Sequence, residues 1–410
     1  MVQNATFYFR RILIASVKPC APRTIQVTPG SMGSALCNWE EEFFQVVLSH
    51  WGDKYITLEL CQRLRLVSRG ACQAVANTRL STRITIRPTR DVLLAWQRRV
   101  HVANKFARIV RVDVMPHYTD SIEDGGLCQV LQACDALEHL NLRSTFWRGK
   151  ALARVLAAAN THQTLQHVNL TGAVPGTQGC NSLLPVLPGL GNLRVLSLAE
   201  NSLYQVASEK LGRLLRLLPC LEDLDLKANG LRDEKCAEVL KVLKGATALE
   251  RLDLSINFLQ RASASELGEL MVWSKSLRHL DLSNNRMGDA GAKKLATRLG
   301  STARLETLVL FDNSIHDCGA EALAKGLREC TTLRCLDVRY NQIEDYGLEA
   351  LQCVGGTCTV QVQGNQHTVS TSLPTAGGLL WTGIDDLRHD DWRWAYVPST
   401  PWREIADART

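Results

Sequence analysis

One spacing governs this chain. Leu193, Leu221, Leu249, Leu277, Leu305 and Leu333 each open the same unit: leucine, two residues, leucine, one residue, leucine or valine, two residues, asparagine. The asparagines are Asn201, Asn229, Asn257, Asn285, Asn313 and Asn341, and every step is 28 residues. A unit repeated at constant length argues for stacked copies of one small module rather than one compact core. Weaker copies continue the count backwards to Leu165 with Val168 and Leu170, and to Leu137 with Leu140 and Leu142; Ala173 and Thr145 take the asparagine place. Two further steps reach Ile109, Val112 and Val114, then Ser81, Ile84 and Ile86. Forwards, Val360, Val362 and Asn365 repeat the strand after a step shortened to 24.

The fourth and sixth places of the unit lie on one side of a short strand. After the asparagine the apolar period becomes helical, as in Met287, Gly291, Leu295 and Leu299, or Ile315, Gly319, Leu323 and Leu327. Each unit is thus a strand, a turn and a helix. Parallel strands pack about 4.8 Å apart and helices about 10 Å apart, so stacking forces a curve with strands inside and helices outside. The asparagine side chain can satisfy backbone groups where the chain leaves the strand, level after level.

With these motifs the chain resembles the ribonuclease-inhibitor-like class of leucine-rich-repeat proteins. The resemblance covers about residues 81–366, about ten 28-residue repeats and a short last one. It implies an α/β horseshoe solenoid with parallel inner strands and outer helices, intracellular and binding proteins. Fold does not name function here, because the class holds inhibitors, GTPase-activating proteins, innate sensors and ubiquitin-ligase adaptors.

Residues 36–80 precede the array and are dense in apolar groups at helical spacing. A helical cap for the open end of the solenoid is one reading. The order Phe43, Phe44, Val47, Leu48, then Leu66 and Val67 is also similar to the F-box, a three-helix module that docks on a Skp-type linker of cullin-based ubiquitin ligases. That resemblance implies linker contacts at those six residues, within 39–80. The family's leucine-proline opening would fall at Trp39 and Glu40, and its tryptophan at Ala71, so this sequence departs from the pattern.

Residues 1–35 form a leader that carries Arg10, Arg11, Lys18 and Arg23, with no acid before Glu40. It reads as a flexible leader, an over-extended start before Met32, or a mitochondrial targeting segment. Residues 367–410 hold Trp381, Trp392, Trp394 and Trp402 among several aspartates. Tryptophan rarely accumulates in unfolded tails, so this segment either folds back on the last repeat or inserts into a partner.

Composition narrows the function classes. Hydrophobic residues at 45% and charged residues at 21% are those of a folded chain, and a net charge of +6 over 410 residues predicts no general affinity for nucleic acid. No apolar run is long enough to span a membrane. Fourteen cysteines without paired spacing fit a reducing compartment, cytoplasmic or nuclear, with the mitochondrion as alternative. No phosphate-binding loop, dinucleotide fingerprint or nucleophile elbow occurs, so neither a catalytic residue nor a cofactor is assigned.

Cys330, Cys335, Cys353 and Cys358 fall on different layers of the repeat, which argues against a zinc site. His139 and His167 share one strand position in adjacent repeats and are expected side by side, about 5 Å apart. Asp225, Asp253, Asp281 and Asp337 occupy the central inward strand position and are read as a solvated acidic strip. The binding surface is therefore sought on the concave face. Arg83, Arg87, Arg111 and Arg143 lie in the early repeats, and Ile256, Val309, Phe311 and Tyr340 in the late ones. Aromatic residues and arginine are the types enriched at interaction hot spots. The function expected is non-enzymatic protein recognition as substrate receptor of a cullin-type ubiquitin ligase. The alternatives are a scaffold or assembly protein, or a GTPase regulator.

Overall fold

The computed structural model describes residues 56–57, 81–86, 93–94, 97, 100, 108–114, 124–145, 147, 150–174, 176–354 and 358–365. Twelve strands form one parallel sheet in strict chain order, each pairing with the next. They are β1 (Ile56–Thr57), β2 (Ser81–Ile86), β3 (Arg108–Val114), β4 (His139–Asn141), β5 (His167–Asn169) and β6 (Val195–Ser197). The row continues with β7 (Asp223–Asp225), β8 (Arg251–Asp253), β9 (His279–Asp281), β10 (Thr307–Val309), β11 (Cys335–Asp337) and β12 (Thr359–Gln361). Helices return the chain between strands from β3 onward: α1 (Asp124–Gln132), α2 (Ala151–Ala159), α3 (Gly176–Leu183), α4 (Ser208–Arg216) and α5 (Asp233–Leu243). They end with α6 (Arg261–Trp273), α7 (Gly288–Leu299), α8 (Asp317–Glu329) and α9 (Asp345–Gln352). This is an open α/β leucine-rich-repeat solenoid.

The register follows the sequence spacing. Leu224, Leu252, Leu280, Leu308 and Leu336 stand opposite one another across five strands and are nearly or fully buried. Each buried leucine contributes roughly 1.5–3 kcal/mol, and the stack forms one continuous core between sheet and helices. Small residues let the helices approach. A Cβ on Gly326 would sit 2.4 Å from the Ala296 carbonyl oxygen, so α7 and α8 can pack only with glycine there.

The asparagine column works as the sequence predicts. Asn257 Nδ2 donates to the carbonyls of Leu226, Leu254 and Ser255 at 2.9–3.1 Å, while its Oδ1 accepts from the amides of Asn229 and Leu231 at 3.2 Å. Asn229, Asn285, Asn313 and Asn341 repeat this pattern. Where Thr145 replaces asparagine, its hydroxyl donates to the Leu142 carbonyl and accepts from Trp147 Nε1.

One feature departs from the sequence reading. The sheet begins at Ile56 rather than Ser81, because Ile56–Thr57 pair in parallel with Thr82–Arg83. Part of the segment read as a helical module is therefore joined to the array as a strand. Among the described residues no helix is long and apolar enough to cross a membrane. Phe43, Phe44, Val47, Leu48, Leu66, Val67, Arg87, the leader and the tryptophans of 367–410 lie outside the described residues.

Candidate functional site

The turn that leaves each strand explains most of the inward surface. At the central strand position, Asp225, Asp253, Asp281 and Asp337 each accept through Oδ1 the backbone N–H two residues on, at 2.8–3.0 Å. Asn141 and Asn169 do the same for Arg143 and Thr171. One residue further on, the backbone turns left-handed: φ is near +55° at Ser144, Glu200, Ala228, Ile256, Asn284, Asp312 and Tyr340, and glycine serves at 172 and 364. The asparagine follows. The aspartate column is thus a set of side-chain-closed turns, a structural device.

It is also not a solvated strip, which corrects the sequence expectation. Asp337 is 4% exposed and Asp225, Asp253 and Asp281 are half-buried, because a concave sheet crowds its inner side chains. Burial raises the Asp253 carboxyl to about 7, and neighbouring Asp281 and Asp225 push it the same way. Burial also raises Asp281 and Asp225, against hydrogen bonds from Ser283 and Ser197. A shallow hollow of about 20 Å³, roughly the room for one water, sits here, lined by Asp223, Arg251, Asp253, His279, Asp281, Thr307 and Val309. Arg251 Nε bonds Asp223 Oδ2 at 2.9 Å across the floor.

Arg111 and Arg143 of the early repeats each meet a carboxylate. Arg111 holds Asp113 through Nε and Nη2 at 3.2–3.3 Å, and Asp113 also accepts from Asn141. Arg143 lies 3.9 Å from Glu200. His139 and His167 stack with ring centroids 4.0 Å apart and planes at 18°, closer than the strand spacing because the rings lean together.

The late repeats present a different surface. Val309 stands where the neighbouring repeats carry aspartate, so the Phe311 turn lacks that acceptor and the column is interrupted by apolar groups. Phe311 and Tyr340 touch with centroids 4.8 Å apart, and the Arg339 guanidinium lies 5.6 Å over the Phe311 ring while bonding Asp337. Ile256 and Tyr340 are not strand residues; both sit on the left-handed turn, φ +56° and +55°, and are 40% and 41% exposed. Phe258, with φ +60°, is 46% exposed beneath Arg286, whose guanidinium is 5.0 Å from its ring. Tyr204, in an earlier repeat, is 49% exposed. Phe258 and Tyr204 follow the asparagine position, a place that the strand pattern alone does not mark as exposed.

The cysteines are dispersed. Cys330 ends α8, Cys335 lies in β11, Cys353 follows α9, and Cys358 precedes β12; all ten described cysteines are free thiols. Burial, with the charges of Cys335 and Cys330, pushes the Cys358 thiol up to about 12. Burial likewise holds Cys236 at about 12 and Cys180 at about 11, as befits small core residues. No group of three or more His, Cys, Asp or Glu among the described residues is arranged to hold a metal ion.

Comparison with known proteins agrees with this architecture. A family model described as Leucine Rich repeat matches residues 274–296, 305–324 and 329–351. No curated protein matches the chain significantly. Among solved structures, the chain is similar to the crystal structure of the Rad7 and Elc1 complex in yeast, with 16% identity, 84% of this chain and 93% of that chain covered, and a TM-score of 0.45. It is also similar to the leucine-rich repeat-containing protein LegL7 from Legionella pneumophila, with 19% identity, 64% of this chain and 83% of that chain covered, and a TM-score of 0.43. Likenesses at this level leave partner and activity open. The chain carries leucine-rich repeats on an open α/β solenoid.

Proposed function

We propose that this solenoid recognises a protein through the rim formed by Ile256, Phe258, Phe311 and Tyr340, with Val309 and the hollow of β8–β10 beside it. One observation carries the reading. Left-handed backbone costs an L-residue about 1–2 kcal/mol, and most for bulky or β-branched side chains. Most of the other described repeats fill the turn position with Ser144, Gly172, Glu200, Ala228, Asn284, Asp312 or Gly364. The core has no need of isoleucine or tyrosine there, since both stay exposed. Strain kept at an exposed apolar group points to use rather than to folding. Arg83, Arg87, Arg111 and Arg143 are assigned the lesser role of steering an acidic partner.

A photo-crosslinking residue placed at 340 or 258 should capture a protein partner, whereas the same residue at the exposed Trp273 of α6 should not. Equal capture at all three positions overturns the reading.

The finer proposal is a substrate receptor of a cullin-type ubiquitin ligase, its Skp-type linker held by Phe43, Phe44, Val47, Leu48, Leu66 and Val67. It is supported by the order of those residues and by their place ahead of the array. The pairing of Ile56–Thr57 with β2 favours a second reading, a scaffold or assembly protein in which these two residues extend the array's own sheet. Co-expression with a Skp-type linker decides. A stable complex lost on changing Leu66 and Val67 to aspartate supports the receptor, and no complex with the intact chain removes it. Either role fits a cytoplasmic or nuclear setting, and a fluorescent fusion starting at Met1 or at Met32 tests the mitochondrial alternative.

A further inference from the structure

The hollow beside the rim carries an excess of negative charge. Asp225, Asp253 and Asp281 stand opposite one another on β7, β8 and β9. Arg251 is held by Asp223 at 2.9 Å, and burial together with Arg251 lowers His279, which favours its neutral form. Lys227 is the cation that acts on Asp225 and Asp281, so three carboxylates face one lysine. One oxygen each of Asp253 and Asp281 closes its turn on the Ser255 and Ser283 amides, and the Ser283 hydroxyl also donates to Asp281. Ser255 stands at the same place in its repeat and is 3% exposed, yet its hydroxyl beside Asp253 makes no hydrogen bond. A buried hydroxyl without a bond marks a polar floor that the described chain leaves incomplete.

The shape is as specific as the charge. The room of about 20 Å³ is that of one water molecule. An ammonium group is of that size and offers three donors, whereas a guanidinium is a wide planar fork. Val309 forms an apolar wall where β9 and β11 carry aspartate. Thr307, Val309 and Phe311 follow one another on the inward side of β10 and its turn, so an aliphatic stem leaving the hollow along Val309 arrives at the rim.

We propose, on the reading that the rim recognises a protein, that the partner's bound segment carries a lysine whose ammonium enters this hollow and donates to Asp253 and Asp281. The Thr307 hydroxyl oxygen can accept the third hydrogen. The apolar neighbours of that lysine lie on Ile256, Phe311 and Tyr340. With Asp253 held ionised by the ammonium, the Ser255 hydroxyl gains a carboxylate to donate to, as Ser283 already has in Asp281.

The test has two arms. n-Butylammonium added to the full chain should shift the Val309 methyl and Thr307 amide resonances saturably, and butylguanidinium should not. The effect should vanish in the Asp253→Asn, Asp281→Asn double variant, whose turns remain closed because Asn141 and Asn169 close theirs in the same way. The second arm uses the protein captured at position 340. Among its lysines, replaced one at a time by glutamine, one should weaken binding roughly tenfold or more, arginine should not restore it, and the same replacement should change little against the double variant. No saturable shift with butylammonium, or an equal one with butylguanidinium, overturns the proposal. So does a partner whose binding survives every lysine replacement or depends on its N-terminal amine; the rim reading then stands and only the lysine is removed. No capture at position 340 removes the rim reading, and the proposal with it.

Discussion

Replacing Asn257 by alanine is the sharpest probe of how the array holds together. The side chain makes five hydrogen bonds and is fully buried. Its losses are unequal. The Leu226 carbonyl still accepts from Asn229, the Leu254 carbonyl from Asn285, and the Ser255 carbonyl from the Ala228 amide. The amides of Asn229 and Leu231 are left without an acceptor, and both residues are 1% exposed. At about 1–3 kcal/mol for each of the two orphaned buried donors, the cost should be about 2–6 kcal/mol. Urea unfolding followed by circular dichroism would read it as a lowered midpoint with little change in slope. Asn257→Asp should cost at least as much, since its second carboxylate oxygen would be buried against the carbonyls of Leu226, Leu254 and Ser255, which need a donor. A loss under about 1 kcal/mol for the alanine variant would refute the ladder as a main source of stability.

Other expectations follow from single residues. Ile256→Asn relieves a β-branched side chain at φ +56° and should raise the unfolding free energy by about 0.5–1 kcal/mol while weakening the partner, which calorimetry and a binding titration can separate. Asp253 has its carboxyl raised from 3.8 to about 7, so its protonated form favours the folded state; that contribution is complete below 3.8 and lost as pH rises through about 7. The melting temperature should therefore climb as pH falls from 8 to about 6, and Asp253→Asn should flatten this slope; identical slopes would contradict the burial argument. Gly326→Ala should destabilise in spite of better helix propensity, whereas Gly125→Ala in α1, with no heavy atom within 4 Å of the added carbon, should stabilise by up to about 1 kcal/mol.

Much of the fold was legible because the repeat fixes it twice, once through the leucines and once through the asparagines. Leu224, Leu252 and Leu280 could only stack in register if every unit had the same path. Ile256 and Tyr340 were misplaced on the strand because alternation of side chains says nothing about where a strand ends; the left-handed turn does, and its mark was the run of Ser, Gly, Ala and Asn at that step. Phe258 was missed for the same reason. The aspartates were read as solvated because curvature, which crowds the inner face, is a property of the stack and not of one repeat. Asp233, Asp289 and Asp317 each accept amides that open the next helix, a role that appears only when the neighbouring helix start is placed beside them. Ile56–Thr57 is too short a strand to stand out among the surrounding helical periodicity.

Recognition of a protein by the rim of the late repeats is tested most directly by binding. Once a partner is identified by crosslinking at position 340, its affinity should be measured for the wild type, Phe311→Ala, Tyr340→Ala and Trp273→Ala, each with its melting temperature. The two rim variants should lose about 2 kcal/mol or more of binding, with little change for Trp273→Ala and nearly native melting throughout. Full affinity retained by both rim variants, or affinity lost only where melting falls with it, would contradict the claim.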